Sequence, residues 1–181
     1  MTKPLQNIKI AILVCDGFEE VEMTKPRIAL KKAGATVDLI SPDAKQVYSF
    51  RHDKWGKKFI VDANLETANP ADYDAVLLPG GVLNPDKLRT YKSAIQFVNH
   101  FFKKKKPIAA ICHGPLTLVE TGHLKGRKMT SYPSIKTDLI NAGAHWKNAQ
   151  VVIDDNLVTS RQPHDIPAFN QAIIKVFGSE H

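Results

Sequence analysis

The chain has 181 residues, 43% of them hydrophobic and 24% charged, an ordinary globular balance that excludes a disordered tail, a fibrous repeat and low-complexity sequence. The net charge is +7, from 25 basic and 18 acidic residues. Four of the lysines form one block at 103–106, at the end of an expected helix, with no helix-turn-helix pattern and no basic stripe interleaved with aromatics, so nucleic acid is not the expected partner.

No apolar run approaches the ~20 residues that cross a bilayer, and residues 1–7 lack the apolar core of a secretory signal. The expectation is a cytoplasmic protein with no membrane partner, one domain over 1–181 with its core at about 8–177. Cys15 and Cys112 cannot build a disulfide framework and fit a reducing compartment. No CxxC pair or HExxH is present, so neither a metal nor another cofactor is expected.

In chain order, residues 8–14 (IKIAILV) predict a first strand. Residues 24–33 predict a helix capped by Thr24, with Pro26 in its first turn and Gly34 closing it. A second strand at 36–40 runs into a turn at Ser41-Pro42-Asp43, and 46–62 predicts a small hairpin. A buried strand at 75–78 leads into Pro79-Gly80-Gly81. The next helix opens with a Ser93/Gln96 capping box and carries Ala94, Ile95, Val98, Phe101 and Phe102 on one face. Another buried strand at 107–111 precedes a helix at 113–121. A helix at 134–141, strands at 150–154 and 157–160, and a closing helix at 165–177 complete the pattern. Apolar strands separated by helices indicate a mainly parallel sheet covered on both faces.

Ligands of such sheets bind at the carboxyl ends of the strands. The richest stretch there is Ala109-Ala110-Ile111-Cys112-His113-Gly114-Pro115. A strand that stops at Cys112 and turns at once into a helix lifts the thiol over the sheet edge, as in a nucleophile elbow. The helix N-terminus and His113, as base or positive neighbour, favour the thiolate. Gly80-Gly81 after the preceding strand gives either backbone N–H groups facing a ligand or an ordinary turn in which Asp86 caps a short helix. Glu19, Glu20 and Glu22 read alone as carboxylates favoured by a helix dipole, although they follow the first strand on the edge that holds Cys112. Cys15 reads as a semi-buried thiol, His164 and Asp165 as a loop and a cap. His52, His100, His123 and His145 are scattered and form no metal set.

Taken together and in order, these residues resemble the PfpI-type intracellular protease branch of the ThiJ/PfpI superfamily. The resemblance rests on Asp16-Gly17-Phe18-Glu19-Glu20-Val21-Glu22, Leu78-Pro79-Gly80-Gly81, Ala110-Ile111-Cys112-His113-Gly114-Pro115, Gly126-Arg127-Lys128 with Thr130-Ser131, Asn141-Ala142-Gly143-Ala144, and Thr159-Ser160-Arg161 with Asp165. It implies a flavodoxin-like three-layer α/β sandwich, akin to class I glutamine amidotransferases, and homo-oligomers built on a dimer. It implies Cys112 as nucleophile, Glu22 hydrogen-bonded to its sulfur, His113 beside it, and Gly81 and His113 as backbone oxyanion donors. Asp86 matches an acidic residue that reaches the histidine of a neighbouring subunit. True glutamine amidotransferases carry glycine where Ala110 stands and a late His-x-Glu pair that is missing here.

The resemblance implies a cysteine hydrolase of the stress response, acting on peptides or on glyoxal-type carbonyls and their protein adducts. The alternative is a non-enzymatic oxidation sensor or holdase that uses Cys112. For either role Cys112 is expected to be an acidic thiol that oxidises before Cys15.

Overall fold

The structure is a computed structural model that describes residues 3–42, 45–51 and 53–179; Asp43 of the predicted turn and His52 lie outside the described residues. Among the described residues, seven strands form the central sheet in the order β11-β12-β8-β7-β1-β3-β6. These are β1 (Lys9–Leu13), β3 (Thr36–Ser41), β6 (Ala63–Asn64), β7 (Ala75–Leu78), β8 (Ile108–Ile111), β11 (Val151–Asp154) and β12 (Leu157–Ser160). Every neighbouring pair is parallel except β11 with β12. The registers set Ile12 opposite Leu77, Leu77 opposite Ala109, and Thr159 opposite Ala110, so the chain leaves β1, β7 and β8 along one edge.

Side chains alternate across a strand, so each strand feeds two cores. Leu13, Val76, Leu78 and Ala110 pack with Phe97, Val98 and Phe101 of α3 (Lys92–Lys103) and Leu139 of α5 (Lys136–Asn141). Ile10, Ile12, Leu77 and Ala109 pack on the other side with Met23 and Leu30 of α1 (Glu20–Lys32) and Phe169 and Ile173 of α6 (Ile166–Phe177). That burial on both faces is why β7 and β8 read as unbroken apolar runs. Phe101 and Phe169 are fully buried, and each stabilises the fold by about 2–3 kcal/mol through the apolar area it removes from water. The result is a flavodoxin-like three-layer sandwich with a mainly parallel sheet.

The 46–62 segment is the antiparallel hairpin of β4 (Gln46–Arg51) and β5 (Lys54–Ile60), joined by the short β2 (Phe18–Glu19) into a side sheet beside the carboxyl end of β1. A second small pair, β9 (Lys128–Met129) with β10 (His145–Trp146), is parallel. Elsewhere helix ends differ from expectation. α1 begins at Glu20, not at Thr24, because Glu19 is the last extended residue; the Thr24 hydroxyl donates instead to the Glu20 carbonyl inside the helix. Pro26 therefore stands within α1, where it lacks the N–H that would bond the Glu22 carbonyl. Ser93 does not cap α3, since its hydroxyl donates to Glu66 at 2.6 Å and Tyr91 holds the cap position. After Cys112 a turn intervenes, and the helix that follows, α4 (Leu116–Val119), is much shorter than predicted. Residues 134–141 divide into a tight turn at Pro133–Ile135 and then α5.

Candidate active site

Cys112 follows the last residue of β8 with φ +61°, in the left-handed region that a side-chain-bearing residue occupies only at a cost. Three backbone bonds hold it there. The Cys112 N–H donates to Ser160 O at 3.0 Å, Gly114 N–H to Ile111 O at 2.8 Å, and Tyr132 N–H to Cys112 O at 2.9 Å. Gly114 lets the turn pass under β7, since a Cβ there would lie 2.3 Å from the Leu78 carbonyl oxygen. The elbow expected from the sequence is present, and it presents the thiol with 7% of the residue exposed.

Beside it, the Gly80-Gly81 turn ends β7. A Cβ on Gly80 would fall 2.4 Å from a Glu22 oxygen and 2.7 Å from the Cys112 Cβ, so this backbone lies directly against the thiol. Gly81 has φ +80°. The N–H groups of Gly81 and His113 both face the Cys112 sulfur. Asn84 holds the turn in place. It lies in α2 (Leu83–Leu88), is fully buried, accepts from Cys15 N–H at 2.7 Å and donates to the carbonyls of Pro79 and Gly80 at 2.9 and 3.2 Å.

Glu22 reaches the same point from the first turn of α1. It is fully buried, its Oε2 accepts from Gly80 N–H at 2.9 Å, and its carboxyl faces the Cys112 thiol. Oε1 has no hydrogen-bond partner, and the Gly81 N–H is a further polar neighbour of the carboxyl. Burial pushes the Glu22 carboxyl up to about 8, and the nearby Glu19 charge adds to that. At neutral pH Glu22 therefore holds its proton and offers the sulfur a donor rather than a charge. The reading of these carboxylates as surface groups fails on burial for Glu22 and for Glu20, which accepts from the Ser49 hydroxyl of the side sheet at 2.8 Å.

Burial also pushes the Cys112 thiol up, and an ionised Glu22 would push it further; the Gly81 and His113 amides pull it down. Burial lowers His113 as well, so this ring is a neutral base and not the positive neighbour the sequence allowed. The acidity expected of Cys112 thus has burial and Glu22 against it and receives little from the short α4; of the groups around the sulfur, only the two amides pull toward it.

His113 Nδ1 lies 3.2 Å from Cys112 Sγ, and its Nε2 lies 3.0 Å from Ser134 Oγ. Tyr132 stacks on the ring, with centroids 5.1 Å apart. The cleft over these groups has a volume of ≈ 540 Å³ and is walled by Phe50, Val82, Leu83, Tyr132 and Pro163, with Glu19, Glu22, Gly81, Cys112 and His113 among its polar lining. Of the predicted site residues, four converge here. Asp86 does not: it is exposed on α2 and makes no hydrogen bond or ion pair with His113 of its own chain. Ser134, Tyr132 and Asn84 carried no sequence signal of their own, because each acquires its role through contacts with distant parts of the chain.

His164 and Asp165 sit in a tight turn at Pro163–Asp165, where Asp165 takes a bidentate bond from Arg161. Among the described residues no group of three His, Cys, Asp or Glu side chains could hold a metal, and no helix is long and apolar enough to cross a membrane.

A family model for the DJ-1/PfpI family matches residues 8–176. The chain is 45% identical over 163 residues to "Putative cysteine protease YraA" of Bacillus subtilis, covering 90% of this chain and 94% of that one. Among solved structures it is similar to a two-domain protein from Anabaena variabilis with DJ-1/ThiJ/PfpI-like and ferritin-like domains, at 34% identity and a TM-score of 0.89. That match covers 95% of this chain and 48% of the other, so this chain spans about half of it. Schizosaccharomyces pombe DJ-1 superposes with a TM-score of 0.83 at 28% identity, over 93% of this chain and 90% of that one.

Proposed function

The chain belongs to the DJ-1/PfpI family, and from that premise we propose that it is a cysteine hydrolase in which Cys112 attacks the electrophilic carbonyl of a peptide or of a glyoxal-type adduct. The observation that carries this is the thiol at φ +61°, faced by the N–H groups of Gly81 and His113, with a neutral imidazole nitrogen 3.2 Å away. His113 Nδ1 takes the thiol proton as the sulfur bonds to the carbonyl carbon. The carbonyl π pair moves to oxygen, where the two amides stabilise the negative charge. As the tetrahedral centre collapses, the proton on Nδ1 passes to the leaving group, and water then releases the acyl or carbonyl product from sulfur. Glu22, neutral beside the sulfur, sets no charge against the thiolate. Two thiols not joined in a disulfide suit a reducing cytoplasm, and the proposed working form is a dimer-based homo-oligomer active in the stress response.

The test is turnover of peptides and of methylglyoxal by the purified protein, with Cys112→Ala as control. Turnover of either that disappears in the variant is the expected result; identical rates for the two proteins on both substrates would remove the proposal. One observation favours a second role. A buried carboxyl that holds its proton beside a slightly accessible thiol also suits stabilisation of an oxidised sulfur, and so an oxidation sensor or holdase. In that case peroxide would change partner binding or chaperone activity through Cys112, without turnover.

A further inference from the structure

We propose that Ser134 is the positioning residue for His113, its Oγ accepting from Nε2–H and thereby keeping Nδ1 bare toward the Cys112 thiol. The inference rests on the reading of Cys112 as the nucleophile. A neutral imidazole has one donor and one acceptor nitrogen, and the bond made by one fixes the role of the other. In this site the two nitrogens have separate partners, Cys112 Sγ at 3.2 Å and Ser134 Oγ at 3.0 Å. Glu22 carries a proton near neutrality, so it cannot accept the one on the thiol; Nδ1 is the acceptor that remains. For Nδ1 to accept, Nε2 must be the protonated nitrogen, and its donor needs a lone pair to point at. The Ser134 hydroxyl supplies one.

The placement of Ser134 is built into the backbone. Its turn, Pro133–Ile135, follows Tyr132, whose N–H is bonded to the Cys112 carbonyl at 2.9 Å and whose ring lies over His113. On one side of it, Ser131 Oγ accepts from Trp146 Nε1 at 2.9 Å; on the other, the Ile135 side chain is buried in the core. The segment is thus pinned around the hydroxyl. During attack the thiol proton passes from Sγ to Nδ1, giving thiolate and imidazolium, while Nε2–H stays on Ser134. The positive charge that develops strengthens the Nε2–H bond to Oγ, so the interaction grows toward the transition state. The exposed hydroxyl also marks where a carboxylate such as Asp86 of a second chain would have to bind instead.

The test is 15N NMR of the histidine rings in the full-length oligomer, for wild type, Ser134→Ala, Ser134→Thr and Asp86→Asn, with the rate of Cys112 alkylation by iodoacetamide measured alongside. Wild type should show His113 protonated at Nε2 and bare at Nδ1. Ser134→Ala should mix the two tautomers and slow alkylation about tenfold, the size of one lost hydrogen bond to a developing charge, and Ser134→Thr should restore both. A merely structural serine would leave the tautomer unchanged. The proposal is overturned if wild type carries its proton on Nδ1, if Ser134→Ala keeps the wild-type tautomer, or if Asp86→Asn shifts the ring and Ser134→Ala does not. Neither readout needs a substrate, so a protein that hydrolyses nothing can still pass or fail.

Discussion

The two cysteines of this protein stand just beyond neighbouring regions of the same sheet edge, Cys15 after β1 and Cys112 after β8, yet they have different surroundings. Cys15 is completely enclosed, and its backbone N–H is held by Asn84. Cys112 is nearly as enclosed, but its backbone is in the left-handed region and its sulfur meets two amides, a protonated carboxyl and an imidazole. Burial is therefore almost common to both. What differs is the set of polar groups around the second thiol, and those groups come from three separate stretches of chain, at Glu22, Gly81 and His113.

The comparison breaks most visibly by exchange of the nucleophile. Cys112→Ala should lower turnover by about 10³-fold or more, while Cys15→Ala stays within about twofold of wild type, measured as kcat on whichever substrate is turned over. Loss of activity on the Cys15 change would mean that the two thiols have been assigned in the wrong order.

Glu22 provides the next largest effect, on stability. Its folded value of about 8 lies above the ordinary 4.5, so between these the folded protein holds a proton that the unfolded chain has released. Stability attributable to Glu22 is fully present below pH 4.5, falls as the pH rises toward 8 and is level above it. Glu22→Gln has no such proton to lose. Across that window it should gain on wild type by an amount on the order of 4 kcal/mol, read from chemical unfolding at pH 5 and pH 8. The same variant sharpens the chemistry: above pH 8 an ionised Glu22 opposes the thiolate, so Cys112 alkylation in wild type should lag behind Glu22→Gln. Parallel curves for the two proteins would show that Glu22 is ionised throughout.

Oxidation should separate the thiols by a smaller factor. Under mild peroxide, sulfenic or sulfinic acid should appear on Cys112 at least about tenfold sooner than on Cys15, by mass spectrometry of the peptides. The smallest effect expected is the cost of Cys15→Ala to folding, about 1 kcal/mol for a small buried side chain at a site that packs without strain.

Much of this was legible before folding. Apolar runs gave the strands because β7 and β8 are buried on both faces, and the abrupt passage from Ile111 to Gly114 marked the elbow because only a tight turn needs that order of residues. Helix ends were less legible. Thr24 and Ser93 both look like caps, yet one bonds back within its helix and the other reaches Glu66, a partner 27 residues away. Ser134 could not be found from the residues alone. A serine in a Tyr-Pro-Ser turn is ordinary, and it gains meaning only when the Tyr132–Cys112 backbone bond carries the turn to the histidine. The burial that fixes the state of Glu22 is likewise a property of the packed molecule, since the sequence shows only a cluster of acids at a helix start.

Asn84 has a consequence for the durability of the site. One side-chain amide ties the backbone beyond β1 to the carbonyls of Pro79 and Gly80, so the floor under the thiol depends on its remaining an amide. Asparagine side chains age by cyclising onto the backbone nitrogen of the following residue, which must carry a hydrogen to react. Here that residue is Pro85, whose nitrogen has none. The clamp, and with it the geometry around Cys112, is thereby shielded from the commonest route of spontaneous chemical decay.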